Sequence, residues 1–525
     1  MKNEVISETR TTEMVTISRA EYESLKDALA ELKAQNEYLM EQLRLMKKRQ
    51  FGSKSEKADD AVTEQYSLLF NEAEMLADKA EEPSVAVKAH KRKKSGNVKD
   101  ILPEDIPVEV IEHRLPEEEL VCPQCGETME VIGTEVVEQL QFIPAQAKLI
   151  RNVYYNYACK RCDREVESTP VIKTPKEPTI IPGSYASPEA VAHIAVQKFV
   201  MCAPLYRQEM EWNSRGIMLS RQTMSNWLVR CARDWFFPIY DALRRELVLH
   251  DLLQADETEL QVLHEEGKAT QAKSYMWLYR TSGDAERPIV LYDYEPGRGQ
   301  EYPRAFLDGF HGYLQTDGYS GYNGLEGVIR IGCWAHARRK FEEARAAVPK
   351  GKRSPTAEQG VAYCSQLFKL EEEFKGLTPE ERKRQRLERA KPVLDAMWSW
   401  AESRNAAPKS ALGKALTYLR NQWADLNNYL LDGRIELSNN RAERSIKPFV
   451  MSRKNFLFAN TPSGARSSAM ILSLLLTASE NGMDPYQYLC WVLKQAPVLK
   501  AGGEDSWPML LAPWNAPDEC RKHRN

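Results

Sequence analysis

The sequence predicts a multidomain α/β protein, on three observations. Apolar residues near the N-terminus recur every seven positions, two C-x-x-C pairs share one segment, and strand-like runs beyond a proline-rich boundary are followed by helix-period stretches. At about 100–200 residues per domain, 525 residues imply three or four domains and exclude a lone binding module. The longest strongly apolar stretch, 469–477, falls far short of the ~20 residues that a membrane-spanning helix needs. The opening MKNEVISETRTTEM carries acids where a signal peptide has a basic head and an apolar run. A cytoplasmic chain with no membrane partner is therefore expected. The net charge of −3 comes from 72 basic and 75 acidic residues, so only the distribution of charge can argue for a nucleic-acid partner.

The first element, over 15–50, is read as a leucine-zipper helix. Leu25, Leu32, Leu39 and Met46 occupy one heptad position, and Leu29, Asn36 and Leu43 follow four residues after the first three. Leucines at one seam position and a single Asn at the other favour a parallel two-stranded coil, because the buried amide is satisfied only in register. The alternative is one amphipathic helix packed on the protein's own core. Residues 51–105 mix basic runs with acidic fragments and lack a core-forming face, which makes them a basic linker, solvated or touching phosphate.

Over 106–170, Cys122, Cys125, Cys159 and Cys162 offer four thiolates in two pairs, the donor set of a closed tetrahedral Zn²⁺ site. The 33 residues between the pairs are strand-like and would extend a zinc-binding ribbon. No thioredoxin-like βαβ surrounds either pair, which disfavours a redox role. Ten cysteines in the whole chain are too few for a disulfide scaffold.

Prolines crowd the boundary at 169–188, and helix-period segments fill 185–245. There Ser220 is expected to cap a helix that exposes Arg221, Gln222, Ser225 and Asn226. This unit is read as helix-turn-helix-like, its polar N-terminal side chains at base edges; an ordinary helical hairpin is the alternative. The next region, 246–344, carries strand-like runs at 252–263, 274–281, 288–295, 312–319 and 328–334, with a helix-like run before the fourth. Helix periodicity dominates 345–432 and returns over 433–480, followed by a C-terminal element at 481–525.

Among 75 acids, three stand where they could carry chemistry: Asp256 and Asp317 at strand ends, and Glu443 at the head of a helix after an SNN cap. Acids so placed can converge on two Mg²⁺ ions for phosphoryl transfer. Glu257 would face away from Asp256 across the strand, and Glu436 lies before the cap. Cys333 and His336 form a C-x-x-H. Two donors do not close a zinc site, so packing, with His336 bonded to backbone, is the expected role.

The segments ADETELQVL, SYMWLYRT, LQTDGYSGYN, CWAHARRKF and NNRAERSIKPFVMSRKNFLF, in this order, resemble transposases of the insertion sequence 66 family. The resemblance runs from the zipper and FGSKSEK through both cysteine pairs to NGMDPYQYL and LAPWNAP. It implies a DDE transposase with a ribonuclease-H-like catalytic domain, formed by 246–344 and 433–480 around a helical insertion at 345–432. It also implies Asp256, Asp317 and Glu443 as the acid triad holding Mg²⁺ or Mn²⁺.

Arg338 and Arg339, beside the C-x-x-H, and Arg441, Arg444, Lys447, Arg453 and Lys454, around Glu443, would flank this site and draw in a phosphodiester. The expected reaction is metal-dependent cleavage of the element's ends and strand transfer to target DNA. The expected partners are terminal-repeat and target DNA, a second copy or more of the chain, and separately encoded accessory transposition proteins. Two alternatives stand beside it: a non-catalytic zinc and helix-turn-helix regulator, and a related nuclease without strand transfer.

Overall fold

The computed structural model describes residues 19–51, 146–158, 171–349 and 352–522. The chain divides into two compact units, one of residues 1–83 and 179–521, the other of 84–178 with 522–525. Cys122, Cys125, Cys159 and Cys162 lie outside the described residues, as does most of the predicted linker. In the second unit, strands β1 (Asn156–Ala158) and β2 (Val171–Lys173) pair antiparallel. They flank the second cysteine pair in sequence.

The first helix, α1 (Arg19–Phe51), covers most of the predicted zipper. Leu29, Leu32, Leu39, Met40 and Leu43 are exposed along it, so at these positions the seam is not packed on the protein's own core.

Beyond the proline-rich boundary, four helices follow: α2 (Pro188–Phe199), α3 (Leu205–Ser214), α4 (Arg221–Cys231) and α5 (Phe237–Leu247). Ser220 caps α4 as expected, accepting the Thr223 N–H at 3.1 Å. The last of these helices runs on to Leu247, just past the expected boundary at 245. Their buried residues, among them Val191, Met224, Leu228 and Leu243, belong to the same hydrophobic core as the sheet.

That sheet has five strands: β3 (Leu252–Gln261), β4 (Lys273–Thr281), β5 (Val290–Glu295), β6 (Gly312–Gln315) and β7 (Val328–Ile331), with α6 (Glu301–Phe306) between β5 and β6. Their order is β5-β4-β3-β6-β7. The first three form an antiparallel meander, and β6 and β7 run parallel to β3. Leu253, Leu278 and Leu291 are completely buried in it, each contributing about 1.5–3 kcal/mol relative to exposure.

Helical segments then run from α7 (Trp334–Ala346) through α8 (Pro355–Glu373), α9 (Pro379–Gln385), α10 (Lys391–Glu402), α11 (Ala411–Asn421) and α12 (Trp423–Asn427). They build a second core around Trp334, Phe341, Leu367, Leu394 and Leu416, to which Leu252 and Ile331 of the sheet contribute. Arg386, fully buried, ties this layer together: it pairs with Glu371 at 2.7 Å and donates to the carbonyls of Tyr429, Asp432 and Ile435.

The chain returns to the sheet through α13 (Asn440–Phe456), α14 (Pro462–Glu480) and α15 (Pro485–Ala501). Ser473 and Thr477 of α14 accept the N–H groups of Tyr292 and Val290, and Thr477 also donates to the Val290 carbonyl. Side-chain hydroxyls thus satisfy the open edge of β5, which would otherwise invite another strand. Arg280, on β4 and buried, holds both helices through the Ser445 hydroxyl and Glu480.

Candidate active site

Asp256 lies in the middle of β3, a correction to its expected place at a strand end. β3 continues to Gln261 against β4, whereas its parallel partner β6 stops at Gln315, opposite Gln254. Asp256 therefore sits two residues beyond the point where the parallel ladder ends, and Asp317 sits the same distance beyond it on the other chain segment. Glu443 is in the first turn of α13.

These acids, remote in sequence, are near one another. The Asp256 carboxyl is pushed well above its ordinary value, first by burial and then by the charges of Glu257, Glu443 and Asp317. Asp317 is fixed by its own loop, its carboxylate accepting the Tyr319 N–H at 2.8 Å. Its backbone carbonyl accepts from Arg330 at 2.8 Å.

The pleat separates Asp256 from its neighbour. Glu257 accepts from Arg298 Nε at 3.0 Å and from the Tyr322 hydroxyl at 2.6 Å. Tyr322 packs edge-on against Trp277, the β4 partner of Glu257, whereas Phe449 of α13 meets Tyr292 in the register row of Asp256. Arg298 also lies 3.7 Å from the Tyr319 ring, so Glu257 anchors the loop that carries Asp317.

Beneath the acids lies an amide layer that sequence reasoning missed. Gln254 donates to Gln315 at 2.8 Å and to Glu436 at 3.2 Å. Gln315 in turn donates to the Glu436 carbonyl at 2.6 Å. Glu436 is further held by Arg441 at 2.7 Å. The signal was present twice, since LQAD (253–256) and LQTD (314–317) each place a Gln two residues before the acid. Asn439, expected to cap α13, makes no side-chain cap; its amide donates instead to the Ala255 carbonyl at 2.8 Å, pinning the helix start beside Asp256.

Among the basic residues, Arg339 reaches Glu443 at 3.5 Å and Arg453 reaches the Thr258 hydroxyl at 3.5 Å. Arg338 is drawn away to the Phe368 ring of α8, and Arg441 is committed to Glu436. Arg444 and Lys454 are exposed, and Lys447 is partly buried. On α4, Arg221, Gln222 and Asn226 are exposed; Ser225, expected to be exposed, is partly buried, next to the buried Met224. Gln222 donates to Asn226 at 3.0 Å.

The donor chemistry fits a divalent cation. Gln254 Oε1, Asn439 Oδ1 and Glu443 Oε1 are buried acceptors with no hydrogen-bond partner among the described residues. With the carboxylate of Asp256, which feels the charges of Glu443 and Asp317, they supply oxygen acceptors of the kind hard cations require. His336 Nδ1 likewise has no hydrogen-bond partner among the described residues.

Comparison with known proteins places this geometry in context. Residues 183–467, which include all three acids, match the family model described as Transposase IS66 family. Residues 119–163, which include all four C-x-x-C cysteines, match the zinc-finger binding domain of transposase IS66, and 38–111 match Transposase C of IS166 homeodomain. The uncharacterized protein y4jD of Sinorhizobium fredii is 31% identical over 414 residues, covering 76% of this chain and 78% of that protein. The uncharacterized protein y4qI of the same organism is 29% identical over 492 residues, covering 90% and 88%.

Proposed function

The chain belongs to the IS66 family of transposases, and from that premise we propose that it cuts DNA at the ends of its own element and joins the freed ends to target DNA. The observation that carries this reading is the convergence of Asp256, Asp317 and Glu443 where the parallel ladder of β3 and β6 ends. The strand order β5-β4-β3-β6-β7, with three antiparallel strands followed by two parallel ones, supports a ribonuclease-H-like catalytic domain. The helices α8 to α12, between Asp317 and Glu443, are then the helical insertion at 345–432, which shares the second core with α7.

In this reading Asp256, Asp317 and Glu443 hold Mg²⁺ or Mn²⁺. Bound there, two such ions lower the cost of deprotonating the attacking water or 3′-hydroxyl and of the charge on the leaving oxygen. The protein's own share is positioning. Gln254 and Gln315 lock the two strands in register, Asn439 fixes the helix that carries Glu443, and Glu257 with Arg298 holds the Asp317 loop. Arg339, Arg444 and Arg453 favour the approach of a phosphodiester to an otherwise acidic pocket. DNA held by α4 and by a four-cysteine zinc ribbon would be presented to this pocket, and water would free a 3′-hydroxyl that attacks the target with no covalent protein intermediate.

The test is incubation of the purified protein with its element's ends, target DNA and Mg²⁺ or Mn²⁺. Nicked and joined products are expected. An amide in place of each acid keeps shape and removes charge, so Asp256→Asn, Asp317→Asn and Glu443→Gln should each lower cleavage by more than about a hundredfold while sparing end binding. Glu436→Gln and Glu257→Gln disturb positioning but remove no metal-binding charge, so each should lower cleavage far less than the triad variants. End binding without any cleavage by the wild type would favour a regulator, and nicking without joining a nuclease. A Glu443→Gln protein that cuts at wild-type rate would overturn the triad.

A further inference from the structure

Two side chains at the site, Cys333 and His336, have no part in the reaction as proposed, and both lie beside Glu443, which has. Cys333 immediately precedes α7, His336 lies in its first turn, and Glu443 lies in the first turn of α13. Their sulfur, nitrogen and oxygen atoms all fall within 4.8 Å of one another. His336 Nδ1 and Glu443 Oε1 stand 3.7 Å apart. Both are buried and neither has a hydrogen-bond partner among the described residues.

That separation is too long for a hydrogen bond, which needs about 2.7–3.2 Å between nitrogen and oxygen. It suits two ligands of one ion, since bonds of about 2.1 Å to nitrogen and oxygen put the two atoms roughly 3–4 Å apart. Two orphaned atoms facing each other are costly without a shared partner. The third donor is Cys333 Sγ, fully buried, which accepts the Asn439 N–H at 3.2 Å. That contact orients the sulfur and stabilises negative charge on it.

We propose that Cys333, His336 and Glu443 form a site for a first-row transition-metal dication of the Zn²⁺ class, with thiolate, imidazole and carboxylate donors and one position left open. Three protein ligands and an open position is the pattern of zinc sites that take a water or substrate oxygen. Nitrogen and sulfur donors favour Zn²⁺ or Co²⁺ over Mg²⁺. Binding releases the thiol proton to solvent, so charge balances as the ion enters. The binding site rests on its own geometry; its consequence for the reaction, an ion of different chemistry on the same Glu443 that serves the acid triad, rests on the proposed transposase reading.

Co²⁺ is the probe. The full-length protein, its four-cysteine ribbon loaded with Zn²⁺, is titrated with Co²⁺ and followed by absorption, while a chromogenic chelator reports any Zn²⁺ displaced. The expected result is one added Co²⁺ per chain without zinc release, with visible bands of low-coordinate cobalt and a near-ultraviolet thiolate-to-cobalt band. His336→Ala should weaken binding at least about tenfold. Cys333→Ser should abolish the thiolate band, with circular dichroism confirming that this variant folds. Co²⁺ binding unchanged in His336→Ala, or a spectrum without the thiolate band in the wild type, overturns the site. If Asp256→Asn abolishes Mg²⁺-dependent cleavage while His336→Ala binds Co²⁺ like the wild type, the reaction stands and this site falls. If Asp256→Asn still cleaves and His336→Ala loses Co²⁺, the site stands and the triad falls.

Discussion

Asp293, on β5, lies near the guanidinium groups of Arg244 and Arg466, yet its carboxyl is pushed up to about 8 by burial and by the charge of Glu295. In the unfolded chain it ionises near the ordinary 3.8. Folding therefore takes up a proton between about pH 4 and pH 8, and the stability this group contributes is complete below that window and declines as pH rises through it. Asp293→Asn cannot titrate, so its stability relative to the wild type should grow from pH 5 to pH 8, read as the difference in urea midpoints. A constant difference across that range would show that Asp293 ionises normally in the folded protein. At this scale the separation of Asp256 from Glu257 is legible in the sequence, because the period-2 alternation of a strand sends neighbours to opposite faces. The role of Glu436 was not legible, because its partners Gln254 and Gln315 come from strands more than a hundred residues earlier.

Elements follow local chemistry most closely at helix starts. Five helices open on a capping residue followed by proline, at Ser187, Ser354, Thr378, Thr461 and Asp484, and in each the side chain accepts a backbone N–H. The extent of β3 past Asp256 was not readable, since it depends on pairing with β4 rather than on the strand's own residues. Nor was the clamp at Arg386, which sits in a five-residue π-helical segment, Arg386–Ala390, between α9 and α10. Arg386→Met would leave Glu371 and three carbonyls without their donor, and should cost about 3–5 kcal/mol of stability. Hydrogen exchange should then accelerate over 428–438, the segment that delivers Glu436 and leads into α13. Unchanged exchange there would mean that the clamp is local to the helical layer.

Across the whole molecule, the zipper reading makes α1 the part that joins copies. Its exposed leucines form a seam that water does not favour, and a parallel coil would bring two sets of DNA-binding surfaces to one pair of element ends at high effective concentration. Deleting residues 1–50 should lower the sedimentation coefficient toward that of a monomer. Equal oligomeric states for the truncated and full-length proteins would remove the zipper from the assembly. The heptad made this seam legible; the shared core of the α2–α5 helices and the sheet was not, because helix periodicity reveals a buried face without revealing what buries it.

The placement of α7 to α12 between Asp317 and Glu443 also orders events during synthesis. At about 5–20 residues per second, the 126 residues separating these two acids take roughly 6–25 s to emerge. Once Ile331 has emerged, β3 to β7 are complete for the rest of that interval, but α13 and α14 do not yet exist. The edge of β5 lacks the hydroxyls of Ser473 and Thr477, and the face that α13 covers is open to water. A nascent chain at this stage carries two acids of the proposed triad without the third, and its bare sheet edge is open to any strand or chaperone within reach.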